Sequence, residues 1–138
     1  MPGTLIDAGP IIAYYDESDV WHQEVKSFFE LFRGQFVTTC PCLTEALYML
    51  RSDYRVQNEL LLDLSRNLYH VEPLRPTDFS RIAELNVKYA DVPGDFADLS
   101  LIVISERLNL VDIASLDSDF GIYRRYDKSA LSRIFPRT

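Results

Sequence analysis

Short apolar segments that alternate with helical segments constrain the fold of this chain more than any other feature. Strand-like segments are predicted at 4–6, 36–39, 69–72, 111–116 and 132–135, the last at a sheet edge. Helices are predicted between them, at 11–15, from Ser18 or Asp19 to Phe32, and at 43–50, 56–68, 77–89 and 95–108. Because parallel strands need long crossover connections, this alternation favours an α/β fold with three α/β/α layers around a central parallel sheet.

Two of the predicted helices carry strong apolar patterns. Residues 99–104 are apolar nearly all round, which indicates a central, buried helix. The helix that ends at Phe32 has its apolar residues at helical spacing, namely Trp21, Val25, Phe28, Phe29 and Phe32. No linker interrupts the pattern, so we predict a single domain over residues 1–138.

Composition and charge narrow the possible functions. Hydrophobic residues make up 47% of the 138 positions, which is typical of a globular chain. No signal peptide or membrane span is recognisable, and Cys40 and Cys42 fit neither a disulfide framework nor a zinc site, so we expect a cytoplasmic protein. The net charge of −7 argues against general nucleic-acid binding. The basic residues are nevertheless concentrated after residue 123, where Arg124 and Arg125 are candidate RNA-binding residues.

Four acidic residues lie at the ends of apolar elements. Asp7 and Asp117 follow predicted strands, Asp98 lies near the start of the buried helix, and Glu45 lies within about the first turn of the helix after the second strand. Ligands of open α/β sheets bind beyond the carboxyl ends of the strands. Gathered there, four carboxylates would repel one another, and hard oxygen ligands suit Mg²⁺ or Mn²⁺. Such cations would support hydrolysis of a phosphodiester bond.

Each acid also has a purely structural interpretation. Asp98 could interact with the helix dipole, and Asp95 could serve only as its N-cap. Asp117 and Asp119 could be turn residues, and Glu45 a first-turn acid.

Four segments in order resemble the acidic motifs of PIN-domain toxins of the VapC type. They are LIDAGPIIAY (5–14), LTEA (43–46), DVPGDFADLSL (91–101) and SLDSDF (115–120), the last followed by Tyr123-Arg124. Each motif alone is short and weak, whereas the ordered set spans residues 4 to 136 and is specific.

The resemblance implies a PIN fold and an Mg²⁺- or Mn²⁺-dependent endoribonuclease that acts as the toxin of a toxin–antitoxin pair. It also implies a homodimer and inhibition by a cognate antitoxin. The catalytic and metal-binding acids would be Asp7, Glu45, Asp98 and Asp117, with Asp95 and Asp119 as possible further metal ligands. Ser115 stands where the family often has Ser or Thr, and could position Asp117 or a water.

Three other functions remain possible at this point. A haloacid-dehalogenase-type phosphatase would use Asp7 as nucleophile, but that class needs a second Asp where this chain has Gly9. A non-catalytic PIN-like binding module would not need the complete acidic set. The third alternative is an RNA-processing nuclease of the same fold outside any toxin–antitoxin pair, which the motifs do not distinguish from a toxin.

The aromatic residues have two interpretations. Tyr14, Tyr15 and the aromatic helix could pack in the core, which is the favoured interpretation, or could form a groove for an antitoxin helix.

Overall fold

Strands and helices alternate along the chain in the computed structural model, as the sequence predicts. The structure describes residues 3–91, 94–117, 120, 123–126 and 129–136. The strands are β1 (Gly3–Ile6), β2 (Gln35–Thr38), β3 (Tyr69–Val71), β4 (Asp112–Ala114) and β5 (Ser132–Phe135). The helices are α1 (Ala8–Tyr15), α2 (His22–Leu31), α3 (Cys40–Met49), α4 (Tyr54–Ser65), α5 (Pro76–Lys88) and α6 (Phe96–Leu108).

The five strands form one parallel sheet in the order β3-β2-β1-β4-β5. The chain builds outward from β1 on one side and then crosses to β4 on the other side. The topological switch point, where open sheets bind ligands, therefore lies between β1 and β4. The predicted parallel sheet, with β5 at its edge, is confirmed.

The side chains of each strand alternate between two hydrophobic cores. Leu5 and Ile113 point to the face covered by α5 and α6, whereas Ile6 and Ala114 point to the face covered by α1, α2 and α4. α3 contributes Cys42 to the core on the α5 and α6 side, and its other buried side chains to the core on the opposite face. The predicted three-layer architecture is confirmed.

Helix α6 is the central helix that the sequence predicts. Every residue from Ala97 to Ser105 is buried. The two serines that interrupt its apolar surface are satisfied within the helix, because Ser100 donates to the carbonyl of Ala97 and Ser105 to that of Ile102. α6 can therefore lie against the sheet without leaving these hydroxyl groups unpaired.

Three helices begin at least three residues away from their predicted starts, each for a local reason. α1 begins at Ala8 because the carboxylate of Asp7 caps it, so Pro10 occupies its third position. α2 begins only at His22, because Asp16 and Asp19 accept hydrogen bonds within the preceding turn. α3 begins at Cys40, and this places Glu45 in its second turn.

The aromatic residues of α2 lie at the margin of a core. Val25 is fully buried, whereas the rings of Trp21, Phe28, Phe29 and Phe32 are partly buried and pack against the core on the α1 side. Tyr15 is buried and its hydroxyl donates to Asp63 at 2.6 Å. Core packing thus accounts for most of this aromatic surface.

Within the described ranges, no helix is long and apolar enough to cross a membrane.

Candidate functional site

Asp7 lies at the carboxyl end of β1, at the switch point of the sheet. One carboxylate oxygen accepts the N–H of Ala8 at 2.7 Å, and the other accepts the hydroxyl of Ser115 at 3.0 Å. The side chain is held between these donors and Asp7 is only 7% exposed. Burial, together with the charges of Glu45 and Asp95, raises the pKa of Asp7 to about 6, although the two hydrogen bonds act in the opposite direction.

Asp98 lies on the first turn of α6 and is 6% exposed. Burial, followed by the charges of Asp7, Asp95 and Asp117, holds the pKa of Asp98 well above its usual range. A hydrogen bond between the side chains of Asp98 and Asp117 acts in the same direction, because it requires a proton on one carboxyl group. Asp98 therefore lies at the centre of the acidic cluster.

Asp95 and Glu45 lie at the exposed side of the cluster. Asp95 accepts the backbone N–H of Asp98 at 2.8 Å and so caps α6. This contact shows the capping role that the sequence left open, and it leaves the second carboxylate oxygen of Asp95 available to a ligand. Partial burial and the charges of Asp95 and Asp117 raise the pKa of Glu45, so Glu45 belongs to the same acidic cluster.

Ser115 connects the ends of β1 and β4. Its hydroxyl donates to Asp7 and accepts the backbone N–H of Asp117 at 3.0 Å. Its backbone is fixed from β5, since its N–H donates to the carbonyl of Phe135 and its carbonyl accepts Nε of Arg133 at 2.7 Å. Arg133 is not among the site residues predicted from the sequence. A β-bulge in the β4–β5 pairing lies close to Arg133, and no sequence pattern indicates that bulge.

The fold brings Asp7, Glu45, Asp95, Asp98 and Asp117 into electrostatic contact, whereas Asp119 lies outside the described residues. The donors fit Mg²⁺ or Mn²⁺ in kind, because they are carboxylates. The neighbouring thiol of Cys42 lies 4.0 Å from a carboxylate oxygen of Asp7 and stays protonated, because burial raises its pKa to about 12. Among the ion pairs of the described residues, none joins the first four of these acids to a Lys or Arg. Within the same residues, however, no three His, Cys, Asp or Glu side chains are arranged so that they could hold a metal ion.

The two arginines predicted to bind RNA differ in their surroundings. Arg125 is buried, and its guanidinium donates to the carbonyl of Ser105 at 3.0 Å and to the side chain of Asn109 at 3.2 Å, at the carboxyl end of α6. Contact with RNA would require Arg125 to leave these acceptors. Arg124 is half-buried and donates locally to the carbonyl of Tyr123. Arg124 is thus the better candidate for a phosphate contact.

A groove of about 840 Å³ opens beside the acidic cluster. Glu45 and Asp95 form part of its wall, and the remainder is mainly apolar, with two phenylalanines, Phe79 and Phe96, on α5 and α6. This groove was not predicted from the sequence. Phe79 and Phe96 are 17 positions apart and belong to no common periodic pattern, so only the packing of α5 on α6 brings them together.

Comparison with known proteins identifies the fold. No protein-family model matches the chain, and no curated protein matches it significantly. A crystal structure of Mycobacterium tuberculosis VapC20, described as a toxin that cleaves the sarcin-ricin loop, superposes with a TM-score of 0.77 at 16% identity, over 86% of this chain and 93% of that chain. A chain of VapBC2 from Rickettsia felis, solved with a DNA fragment from its promoter, superposes with a TM-score of 0.63 at 10% identity, over 95% and 96%. The chain therefore has the PIN fold of the VapC proteins, as the order of its motifs predicts.

Proposed function

We propose that residues 1–138 form a single nuclease domain, a metal-dependent endoribonuclease that acts as the toxin of a toxin–antitoxin pair. The observation that carries this proposal is the convergence of five acids, from four separate parts of the chain, at the switch point of a PIN-type sheet. Such a cluster destabilises the metal-free protein, because like charges are held close together in a poorly solvated place. Binding of a divalent cation removes that penalty.

Asp7, Asp98, Asp117 and Glu45 would hold Mg²⁺ or Mn²⁺, with Asp95 and Asp119 as possible further ligands. When bound, such a cation stabilises negative charge on the phosphate and makes a water more acidic. The chain itself supplies the orientation. Ser115 and the N–H of Ala8 hold both oxygens of Asp7, so this carboxylate cannot rotate freely. The cap from Asp95 fixes the first turn of α6, on which Asp98 lies.

An antitoxin and a second copy of the chain are the proposed protein partners. The Rickettsia neighbour comes from a VapBC2 complex bound to its promoter DNA, which supports an antitoxin partner for a chain of this fold. The homodimer rests on the family resemblance. Inhibition by an antitoxin would keep the nuclease harmless in the cytoplasm until the antitoxin is lost.

Metal removal tests the proposed activity directly. Purified protein is incubated with total cellular RNA in Mn²⁺, in Mg²⁺ and in EDTA, and the new RNA ends are mapped. We expect discrete cleavage sites with either cation, no cleavage in EDTA, and full recovery when Mn²⁺ is added in excess. Cleavage that persists in EDTA would contradict the metal mechanism. No cleavage under any of these conditions would favour a non-catalytic binding module.

The two arginines provide a matched pair for the RNA contact. Arg124→Ala is expected to weaken RNA binding and to reduce the salt dependence by about 0.7 in the slope of log affinity against log salt, with little effect on stability. Arg125→Ala is expected to lower the free energy of unfolding by about 2 kcal/mol, because a buried cation would no longer bond the end of α6. Binding at several salt concentrations and urea unfolding measure the two effects. An unchanged salt slope for Arg124→Ala would exclude its phosphate contact.

A further inference from the structure

We infer that the groove beside the acidic cluster is a stacking site for an unpaired nucleobase of the RNA strand. This site, the aromatic groove, is defined by Tyr48, Leu74, Phe79 and Phe96 together with Glu45 and Asp95. The inference rests on the proposed function, because it places the base next to a phosphate that is held at the acids. It assigns to the groove a role in substrate positioning.

The two phenylalanines form an exposed aromatic platform. Phe79 on α5 is 51% exposed and Phe96 on α6 is 48% exposed. Their rings are nearly parallel, at 17°, with centroids 6.2 Å apart. Tyr48 completes the wall, and the guanidinium of Arg51 lies 3.8 Å from the centroid of its ring. Two neighbouring half-exposed phenylalanines inside a concave site indicate a ligand with flat apolar faces.

The aromatic groove is continuous with the acidic cluster. Phe96 lies between Asp95 and Asp98 in the chain, at the start of α6. Tyr48 lies three residues after Glu45 on α3, which places both side chains on the same helix face. Since Glu45 and Asp95 belong both to the groove wall and to the cluster, a phosphate held at the acids leaves its neighbouring nucleotide at the aromatic platform.

The charge of the groove selects a base rather than a phosphate. Among the described residues that line it, none is a Lys or Arg, and three are acidic: Glu45, Glu72 and Asp95. A phosphate would be repelled here without a cation, whereas the neutral face of a base would not. Glu72 is paired with Arg107, so two copies of the chain meeting symmetrically at this groove would bring together the four carboxylates of Glu45 and Asp95, which disfavours self-association as the use of this surface.

The polar groups of the groove provide little basis for distinguishing one nucleobase from another by hydrogen bonds. The carboxylate of Glu72 already accepts His70 at 2.8 Å and Arg107 at 2.7 Å. Binding would therefore depend on stacking, which tolerates every base because each has a π-face. Aromatic side chains recognise splayed, single-stranded RNA in this way.

The test uses the full chain and a set of short single-stranded RNAs that carry 2-aminopurine at successive positions. Stacking changes the fluorescence of this base, and Ca²⁺ replaces Mn²⁺ to slow turnover. We expect the fluorescence to change at one position with the wild type. Phe79→Ala is expected to abolish this change and to weaken RNA affinity by about tenfold or more, as for the loss of one stacked base. Phe79→Trp should restore both effects.

Val87→Ala is the matched control, because Val87 is an exposed apolar residue of the same helix that does not line the groove. This variant should behave like the wild type. If Phe79→Ala binds RNA as the wild type does while the wild type still cleaves RNA, the stacking site is wrong and the proposed function stands. If the wild type shows the fluorescence change but never cleaves, the stacking site stands and the proposed function is wrong. The inference would be overturned if the wild type showed no fluorescence change at any position. It would also be overturned if Phe79→Ala had a lower sedimentation mass than the wild type but unchanged fluorescence, and that result would identify the groove as an interface between copies.

Discussion

Asp98→Asn is expected to lower the rate of RNA cleavage by at least about a hundredfold. Loss of a residue that merely supports a metal ligand typically costs 10- to 100-fold, so loss of a ligand should cost no less. Asn has the same shape as Asp98 and retains a group that can hydrogen-bond to Asp117, so the fold should persist. Initial rates at saturating Mn²⁺ measure the effect, and circular dichroism verifies the fold.

Two further variants make this result specific. Asp7→Asn should cause a similar loss, while Asn remains a good cap for α1. Asp112→Asn is the control, because Asp112 lies at the amino end of β4, away from the acidic cluster, and its rate should stay at the wild-type value. If Asp98→Asn cleaved RNA as fast as the Asp112 variant, Asp98 would be only a helix-start acid.

In EDTA at neutral pH, Asp98→Asn is expected to melt at a higher temperature than the wild type. The pKa of Asp98 is raised in the folded protein, so the unfolded chain ionises this group more readily. At neutral pH the folded wild type must either retain a proton or hold a buried charge beside Asp7, Asp95 and Asp117, and both cost stability. Asn removes this cost. Thermal melts of both proteins measure the difference.

The pH dependence of the metal-free wild type should have the same origin. The pKa of Asp7 rises from an ordinary value of 3.8 to about 6 on folding. The stabilisation from the protonated group is complete below pH 3.8 and is lost as the pH rises through about 6. The loss from Asp7 is about 3 kcal/mol, since one pKa unit corresponds to about 1.4 kcal/mol. Asp98 shifts in the same direction and extends the loss to higher pH. Urea unfolding in EDTA across this pH range measures it.

Adding Mn²⁺ should reverse the order of stability. A cation that binds only the folded state stabilises it by about 2.7 kcal/mol at a hundredfold excess over its dissociation constant. The wild type should gain this amount and Asp98→Asn much less. Equal gains would mean that Asp98 does not bind the cation. A lower melting temperature for Asp98→Asn in EDTA would mean that its carboxyl group makes a structural bond that outweighs the repulsion.

The sequence predicted where an acidic residue lies in the fold when that position depends only on the chain close to it. Asp7 follows an apolar strand and Asp98 opens an apolar helix, so the end of each element could be located from local patterns alone. Glu45 was placed a turn too early, because Cys40 and Pro41 extend α3 toward β2 and no apolar periodicity marks that extension.

By itself, the sequence determined the layered α/β architecture and the order of the acidic motifs. Hydrophobic period and element length depend on neighbouring residues, and they restrict a chain to few sheet topologies. Only the tertiary structure decided which distant side chains meet. It joined Ser115 to Asp7 across 108 positions, turned Arg125 into the protein, and placed Phe79 beside Phe96. The physical reason is that such contacts depend on which strands pair and on how the helices pack across the sheet. The pattern of polar and apolar residues along the chain predicts the separate segments, but it does not give the distances between them in space.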